Sequence, residues 1–176
     1  VAVCLVCCGD NDEPALPDAE EPVPKADRQT WNSTLHLQGP ESTVTVHLPY
    51  AQEFDERKVT RGEGGVSIEF HDKASTDTSG GVIQIRAQRL SLEHDTDRFA
   101  LAGSVAVTSD SVLLTSDSLL WSRTDDLVQV PGWADVARSG SSLRARDLSA
   151  STSLERWSAK NVSGSLSGTT KAGAPY

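Results

Sequence analysis

Methionine is absent from the 176 residues, and the three cysteines (Cys4, Cys7 and Cys8) all fall within the first eight. The rest of the chain therefore has no disulfide framework and no thiolate metal site. No apolar run reaches the roughly 18 residues that a membrane-crossing helix requires. Positive charge is also scarce: 16 Lys and Arg stand against 25 Asp and Glu, a formal net charge of −9. Proteins that bind nucleic acid need clustered Lys and Arg to neutralise phosphates, so that class of partner is excluded.

Catalytic signatures are missing too. His36, His47, His71 and His94 are scattered without an HxxxH or HExxH spacing, and no G-x-S-x-G elbow occurs. His36 and His47 belong on the polar face of strands. Asp95 with Asp97, and Asp125 with Asp126, suit turns far better than a calcium site. Asn32 and Asn161 head sequon patterns to which no meaning attaches. The expectation is a chain that is not an enzyme and holds neither metal nor cofactor.

What the chain does have is 22 Ser, 14 Thr and many Val, a composition that leans toward β structure. The length suits one domain with a sizeable core. The first eight residues, Val1-Ala2-Val3-Cys4-Leu5-Val6-Cys7-Cys8, are small or apolar and turn abruptly polar at Gly9-Asp10. They read as the end of a secretory signal. Leu5-Val6-Cys7-Cys8 resembles a bacterial lipobox, which makes Cys8 the lipidated residue and implies a membrane contact through a lipid anchor. The alternative is a buried N-terminal strand with free thiols.

Residues 9–30 hold four of the eight prolines and carry seven acids against Lys25 and Arg28, a charge of −5. Such a segment buries too little apolar surface to offset its ordering entropy, so it is expected to be a flexible tether. Fully extended at ~3 Å per residue, it spans up to roughly 60 Å. The remaining 18 acids and 14 bases leave residues 31–176 at only −4.

From Trp31 onward the period is two. Val44, Val46 and Leu48 alternate with polar residues, as do Val66, Ile68 and Phe70, and Ile83, Ile85 and Ala87. This pattern puts apolar side chains on one face of a sheet. Turn signals separate the runs at Gly39-Pro40, Gly62 to Gly65, Ser79 to Gly81, His94 to Asp97, Thr124 to Asp126 and Ser139-Gly140. Only Tyr50 to Lys58 is compatible with a helix, a short one.

The chain also repeats itself. Ile85-x-Ala87-x-x-Leu90-x-Leu92 returns as Leu114-x-Ser116-x-x-Leu119-x-Trp121 and again as Leu143-x-Ala145-x-x-Leu148-x-Ala150, 29 residues apart each time. Phe99, Leu101, Gly103 and Val107 return as Val128, Val130, Gly132 and Val136. Each unit is a hairpin unable to bury its apolar face alone. Stacked, such units make an all-β fold, an elongated antiparallel jelly roll.

Residues 31–166 resemble the LptC family, the periplasmic component of the lipopolysaccharide export transporter, whose fold is shared with the LptA/OstA-type domains. The resemblance rests on Gly103-Ser-Val-Ala-Val-Thr-Ser-Asp with Leu114-Thr-Ser-Asp-Ser-Leu119-Leu-Trp121. Gly140-Ser-Ser-Leu143-Arg-Ala145 with Leu148-Ser-Ala, Asn161-Val-Ser-Gly164-Ser-Leu, Trp31 and Tyr50-Ala-Gln-Glu-Phe54 add to it. Two features depart from the family: a lipobox in place of an N-terminal membrane helix, and Pro131-Gly132-Trp133 where a strand usually starts Pro-Val.

The resemblance implies an OstA-like jelly roll over residues 31–167, followed by a tail over 168–176. It implies a periplasmic domain anchored at the inner membrane that takes lipopolysaccharide acyl chains from the permease and ATPase complex. An LptA-like bridge protein would receive them, with N-terminal strands toward the transporter and C-terminal strands toward the bridge. Open sheet edges suit such strand addition. Buried acyl methylenes contribute ~0.8 kcal/mol each. The expected groove lining is Val46, Leu48, Ile68, Phe70, Ile85, Leu101, Val107, Leu114, Leu119 and Val130. The alternative is a structural or interaction lipoprotein of the same fold with a filled core and no lipid cargo; an envelope hydrolase on a β scaffold ranks last.

Overall fold

The computed structural model describes residues 24–40, 42–72, 82–109, 111–138 and 140–165. The lipobox, Cys8, most of the expected tether and the 168–176 tail lie outside them. Nine strands follow one another: β1 (Arg28–Gln38), β2 (Ser42–Phe54), β3 (Val59–Asp72), β4 (Val82–Glu93), β5 (Arg98–Thr108), β6 (Val112–Ser122), β7 (Leu127–Arg138), β8 (Ser141–Ala150) and β9 (Trp157–Ser165). They pair in chain order as one open antiparallel sheet, with β1 and β9 at its edges. No helix occurs among the described residues. The all-β reading and the stack of hairpins are as expected. The segment Tyr50 to Lys58 is not helical: it closes β2 and turns into β3. Its residues Tyr50 to Phe54 pair with Val59 to Glu63, which satisfies their backbone across the ladder instead.

The sheet does not lie flat. Pairing shifts near the middle of the long strands, between His47 and Tyr50 on β2, Glu63 and Val66 on β3, Arg86 and Arg89 on β4, and Ala102 and Val105 on β5. Further shifts follow between Ser116 and Leu120 on β6 and Val130 and Trp133 on β7. A bulge bends its strand and increases the local twist. Bulges at one level on successive strands crease the sheet, so that its two halves face each other.

The consequence is measurable. Phe70 of β3 packs edge-on against Trp121 of β6, ring centroids 5.6 Å apart and planes at 82°. In a flat sheet three strand spacings of about 4.8 Å would part them by about 14 Å. Phe99 stacks on the same indole at 4.5 Å. Arg123, just past β6, reaches the carbonyl of Leu37 on β1 at 3.4 Å.

The repeat explains the crease. In Ile85-x-Ala87-x-x-Leu90-x-Leu92 the two intervening residues reverse the alternation, and all four apolar residues are nevertheless buried. The unmatched step is the bulge. Gly62 to Gly65, expected to form a turn, is instead the bulge of β3: Gly64 and Gly65 stand at φ +88° and +97° inside the strand. Pro131-Gly132 likewise sits inside β7, at its register shift, and does not start a strand. Trp31 lies within β1, which begins at Arg28, and the Asp27 carboxylate already accepts the Asp55 amide at 2.8 Å. The folded part therefore begins before the expected boundary at Trp31.

The turns at one end of the roll are Asp55 to Lys58, His94 to Asp97 and Arg123 to Asp126, and they form a ladder. The His94 amide donates to the Lys58 carbonyl at 3.0 Å and the Arg123 amide to the Asp97 carbonyl at 3.2 Å. The Thr152 amide, in the β8–β9 loop, donates to the Asp126 carboxylate at 3.0 Å. Lys58, Asp97 and Asp126, the last residue of each turn, all have φ near +50°, a conformation that Asp tolerates better than most residues. The acidic turn residues are thus tied to protein partners, Asp95 to Lys58 and Asp125 to Ser122 among them.

Gly164 ties β9 to β8. It stands at φ +148°, and a Cβ there would lie 2.8 Å from the Leu143 Cα and closer still to the Ser142 carbonyl oxygen. Backbone cannot yield as a flexible side chain does. Gly164→Ala is expected to release the end of β9 at a local cost of ~1–3 kcal/mol. Amide exchange at Arg144 and Ser165 should accelerate while the Phe99–Trp121 region keeps its protection. Unchanged exchange at β9 would refute this reading.

Candidate functional site

Most of the apolar face is closed. Of the ten residues expected to line a groove, Val46, Leu48, Ile68, Ile85, Leu101, Val107, Leu119 and Val130 are solvent-excluded members of one continuous core. Phe70 is half-buried against that core, on the Trp121 ring. Leu114 is just as deeply buried in that core and also borders a cavity. Alternation marks which face is inward; it does not say whether another layer covers that face.

The cavity lies at the C-terminal mouth of the roll and has a volume of about 290 Å³. From one half of the creased sheet come Val112 and Leu114 of β6, Val136 and Arg138 of β7, and Ser141 and Leu143 of β8. The other half contributes Leu148 and Ala150 of β8, Leu154 of the following loop and Trp157 of β9. Leu114, Leu148, Leu154 and Ala150 form its buried floor. Val136 and Leu143 are half-buried walls, and Trp157 stands at the rim, 40% exposed. Arg138 is the charged residue of this lining, and no ion pair to it occurs among the described residues.

The mouth is open because the repeat ends. The inward residues of the first two copies are covered by later strands. Among the described residues the third copy, Leu143, Ala145, Leu148 and Ala150, is followed by β9, along which Ala159 is the one residue not exposed. Leu143, Leu148 and Ala150 were visible in the sequence as repeat positions. Of the three, Leu143 is half-buried, while Leu148 and Ala150 are buried at the floor. Arg138 and Trp157 carried no such signal, since each faces the cavity only through the fold.

The histidines do not converge. His36 hydrogen-bonds with Thr45 at 3.3 Å and His47 with Thr34 at 3.0 Å, on the exposed face of the first hairpin. His94 bonds with the buried Thr60 hydroxyl at 2.8 Å, and His71 lies 3.9 Å from Glu69. Asn32 and Asn161 both take φ near +50° at strand irregularities, a backbone role that Asn fills readily.

What this arrangement offers chemically is an apolar pocket reached from solvent at one end of a rigid roll. At 290 Å³ it stands at the lower end of ligand pockets, which run from about 300 to 1,000 Å³. It suits one alkyl chain or part of one. No protein-family model matches this sequence, and no curated protein matches it either.

Proposed function

We propose that this domain is a lipid carrier of the LptC kind, which accepts acyl chains of lipopolysaccharide at its C-terminal mouth and hands them to the next jelly roll. The observation that carries this reading is the apolar cavity between Leu114, Leu143, Leu148 and Trp157, open at the end where the stacked hairpins stop. A dry apolar lining favours an alkyl chain by ~0.8 kcal/mol per methylene buried. The β9 edge beside the mouth leaves backbone groups for an added strand of an LptA-like partner. The β1 edge at the other end is left for the transporter permease and ATPase. In this reading Cys8 carries the lipid that holds the domain at the inner membrane, and the segment ahead of β1 is its leash in the periplasm.

A second reading has its own support. Nine of the ten expected lining residues are locked in a filled core, as in an envelope lipoprotein that only binds other proteins. Photo-crosslinkers separate the two. Placed at Leu143 and Trp157, they are expected to capture lipopolysaccharide in cells, whereas Leu101, Leu119 and the outward-facing Leu113 give background. Background at all five positions would end the carrier reading in favour of the second.

A further inference from the structure

Trp133 stands on the outer face of β7, away from the core, and is 47% exposed. The Arg144 guanidinium lies over its ring, 5.2 Å from the centroid, and comes within 3.9 Å of the Asp135 carboxylate. Both charged side chains stay open to solvent, at 59% and 62%. Asp135 and Arg144 are cross-strand partners, and with Thr115 and Ser142 they line a groove of about 250 Å³. The strands that carry these four residues, β6, β7 and β8, are paired on both sides. They therefore offer no free backbone edge to a peptide strand.

The preceding repeat is an internal comparison. Twenty-nine residues earlier, Ser104, Ala106 and Thr115 occupy the places of Trp133, Asp135 and Arg144, and Ala106 pairs with Thr115 as Asp135 pairs with Arg144. That hairpin forms without the ring or the charges, so the sheet does not require them here. A large aromatic left half in water also forgoes the burial that would repay its presence.

From this placement we propose that the outer face of β6 to β8 is a saccharide platform. Trp133 takes the apolar face of an uncharged β-linked pyranose, and Asp135 with Arg144 takes its neighbouring hydroxyls. A pyranose with equatorial substituents turns axial C–H groups to its flat side, which an indole suits, and hydroxyls outward around its rim. Each hydroxyl both donates and accepts. Asp135 only accepts and Arg144 only donates, so the pair matches two adjacent hydroxyls. Their opposite charges offset each other, which favours neither an anion nor a cation. The groove lies just under the roughly 300 Å³ at which ligand pockets begin, room for one sugar ring. Arg144 already rests on the indole, so little ordering is left to binding. This inference is independent of what the mouth at the end of the roll accepts. The competing role is structural, a cross-strand stack in which Arg144 only shields the ring.

Titration of the ¹⁵N-labelled chain with cellotetraose and with tetra-N-acetylchitotetraose decides between the two. At least one of them is expected to shift the Trp133 indole N–H and the amides of Thr115, Asp135 and Arg144 in a saturable way. The amides of Phe99 and Trp121 should stay still. Trp133→Ser, matching the preceding repeat, should weaken binding about tenfold or more, the effect expected when a stacking ring is removed. Trp133→Tyr should retain most of it, and Arg144→Gln should weaken it while the melting curve stays that of an intact sheet. Tetragalacturonate and the deacetylated chitosan tetramer, negative and positive counterparts, are expected to bind no more tightly. No shift with either neutral tetramer, or binding that survives Trp133→Ser, overturns the proposal in favour of the structural stack. A charged tetramer that binds more tightly overturns the neutral assignment. A concentration-dependent dimer in sedimentation that Trp133→Ser dissolves would assign the face to a second copy of the chain and likewise overturn it.

Discussion

Trp121→Ala is expected to destabilise the domain by about 4 kcal/mol, the largest effect of any single substitution considered for its core. The indole is 1% exposed, stacks on Phe99 at 4.5 Å and takes Phe70 edge-on at 5.6 Å. Its Nε1 donates to the buried Thr152 hydroxyl at 3.1 Å. Truncating a buried Trp to Ala costs ~3–5 kcal/mol through lost transfer energy and the cavity left behind. Leaving the Thr152 hydroxyl without its donor places the result in the upper half of that range. For a domain of this size ~3 °C per kcal/mol converts the loss to a fall in Tm of about 12 °C. The residue joins both halves of the creased sheet, so its loss should lower the cooperativity of unfolding as well. Trp121→Phe keeps the stack and loses the N–H, and is expected to cost ~1–2 kcal/mol. A loss below ~1 kcal/mol for the alanine variant would mean that the two halves do not depend on this contact.

The second large effect is expected at Arg123. Its guanidinium bonds the Asp97 carboxylate at 2.6 Å and the Leu37 carbonyl at 3.4 Å, and so joins the β6–β7 turn to the β4–β5 turn and to β1. Exposed ion pairs contribute ~0–1 kcal/mol, whereas removing one partner of a buried pair costs ~3–5 kcal/mol. Side-chain exposures of 15% for Arg123 and 30% for Asp97 put this pair between the two limits. Arg123→Ala should therefore cost about 2 kcal/mol. A double-mutant cycle with Asp97→Ala should return a coupling of ~1 kcal/mol or more. Without the latch β1 should peel first, visible as faster amide exchange from Leu35 to Gln38 than at β4 and β5. A coupling near zero would show that the contact is incidental to the closure of the roll.

The mouth and the latch have one origin. Stacked hairpins bury their apolar faces only against neighbours, so a finite stack leaves its last unit uncovered. At the N-terminal end Leu35 and Leu37 fold partly over the core, and Arg123 fastens that end. At the C-terminal end β9 contributes little to the interior among the described residues, and Leu143 of the third repeat remains half-buried.

How much of this the chain declared on its own can be read residue by residue. Val44, Val46 and Leu48, or Val66 and Ile68, announce strands and their inward face, because a period of two has no other regular structure to serve. The 29-residue repeat announces hairpins, and Asp95, Asp97, Asp125 and Asp126 mark two of their turns. Gly64 and Gly65 were misleading in isolation: the positive φ that glycine allows serves a turn or a bulge equally well, and the pairing of β3 with β4 decides which. Leu101 and Leu114 carry the same local signal and both are buried, yet Leu114 lies at the floor of the mouth. That difference depends on which strand lies across the crease, three or more strands away in the sheet. The sequence by itself determined the strands, their inward faces and the mild acidity of the folded part, all of which follow from nearest-neighbour chemistry. Only the tertiary structure decided that the open sheet folds over so that its halves face each other, that Trp121 rivets those halves, and that Arg138 stands beside the cavity, because each of these requires long-range contacts that no local pattern encodes.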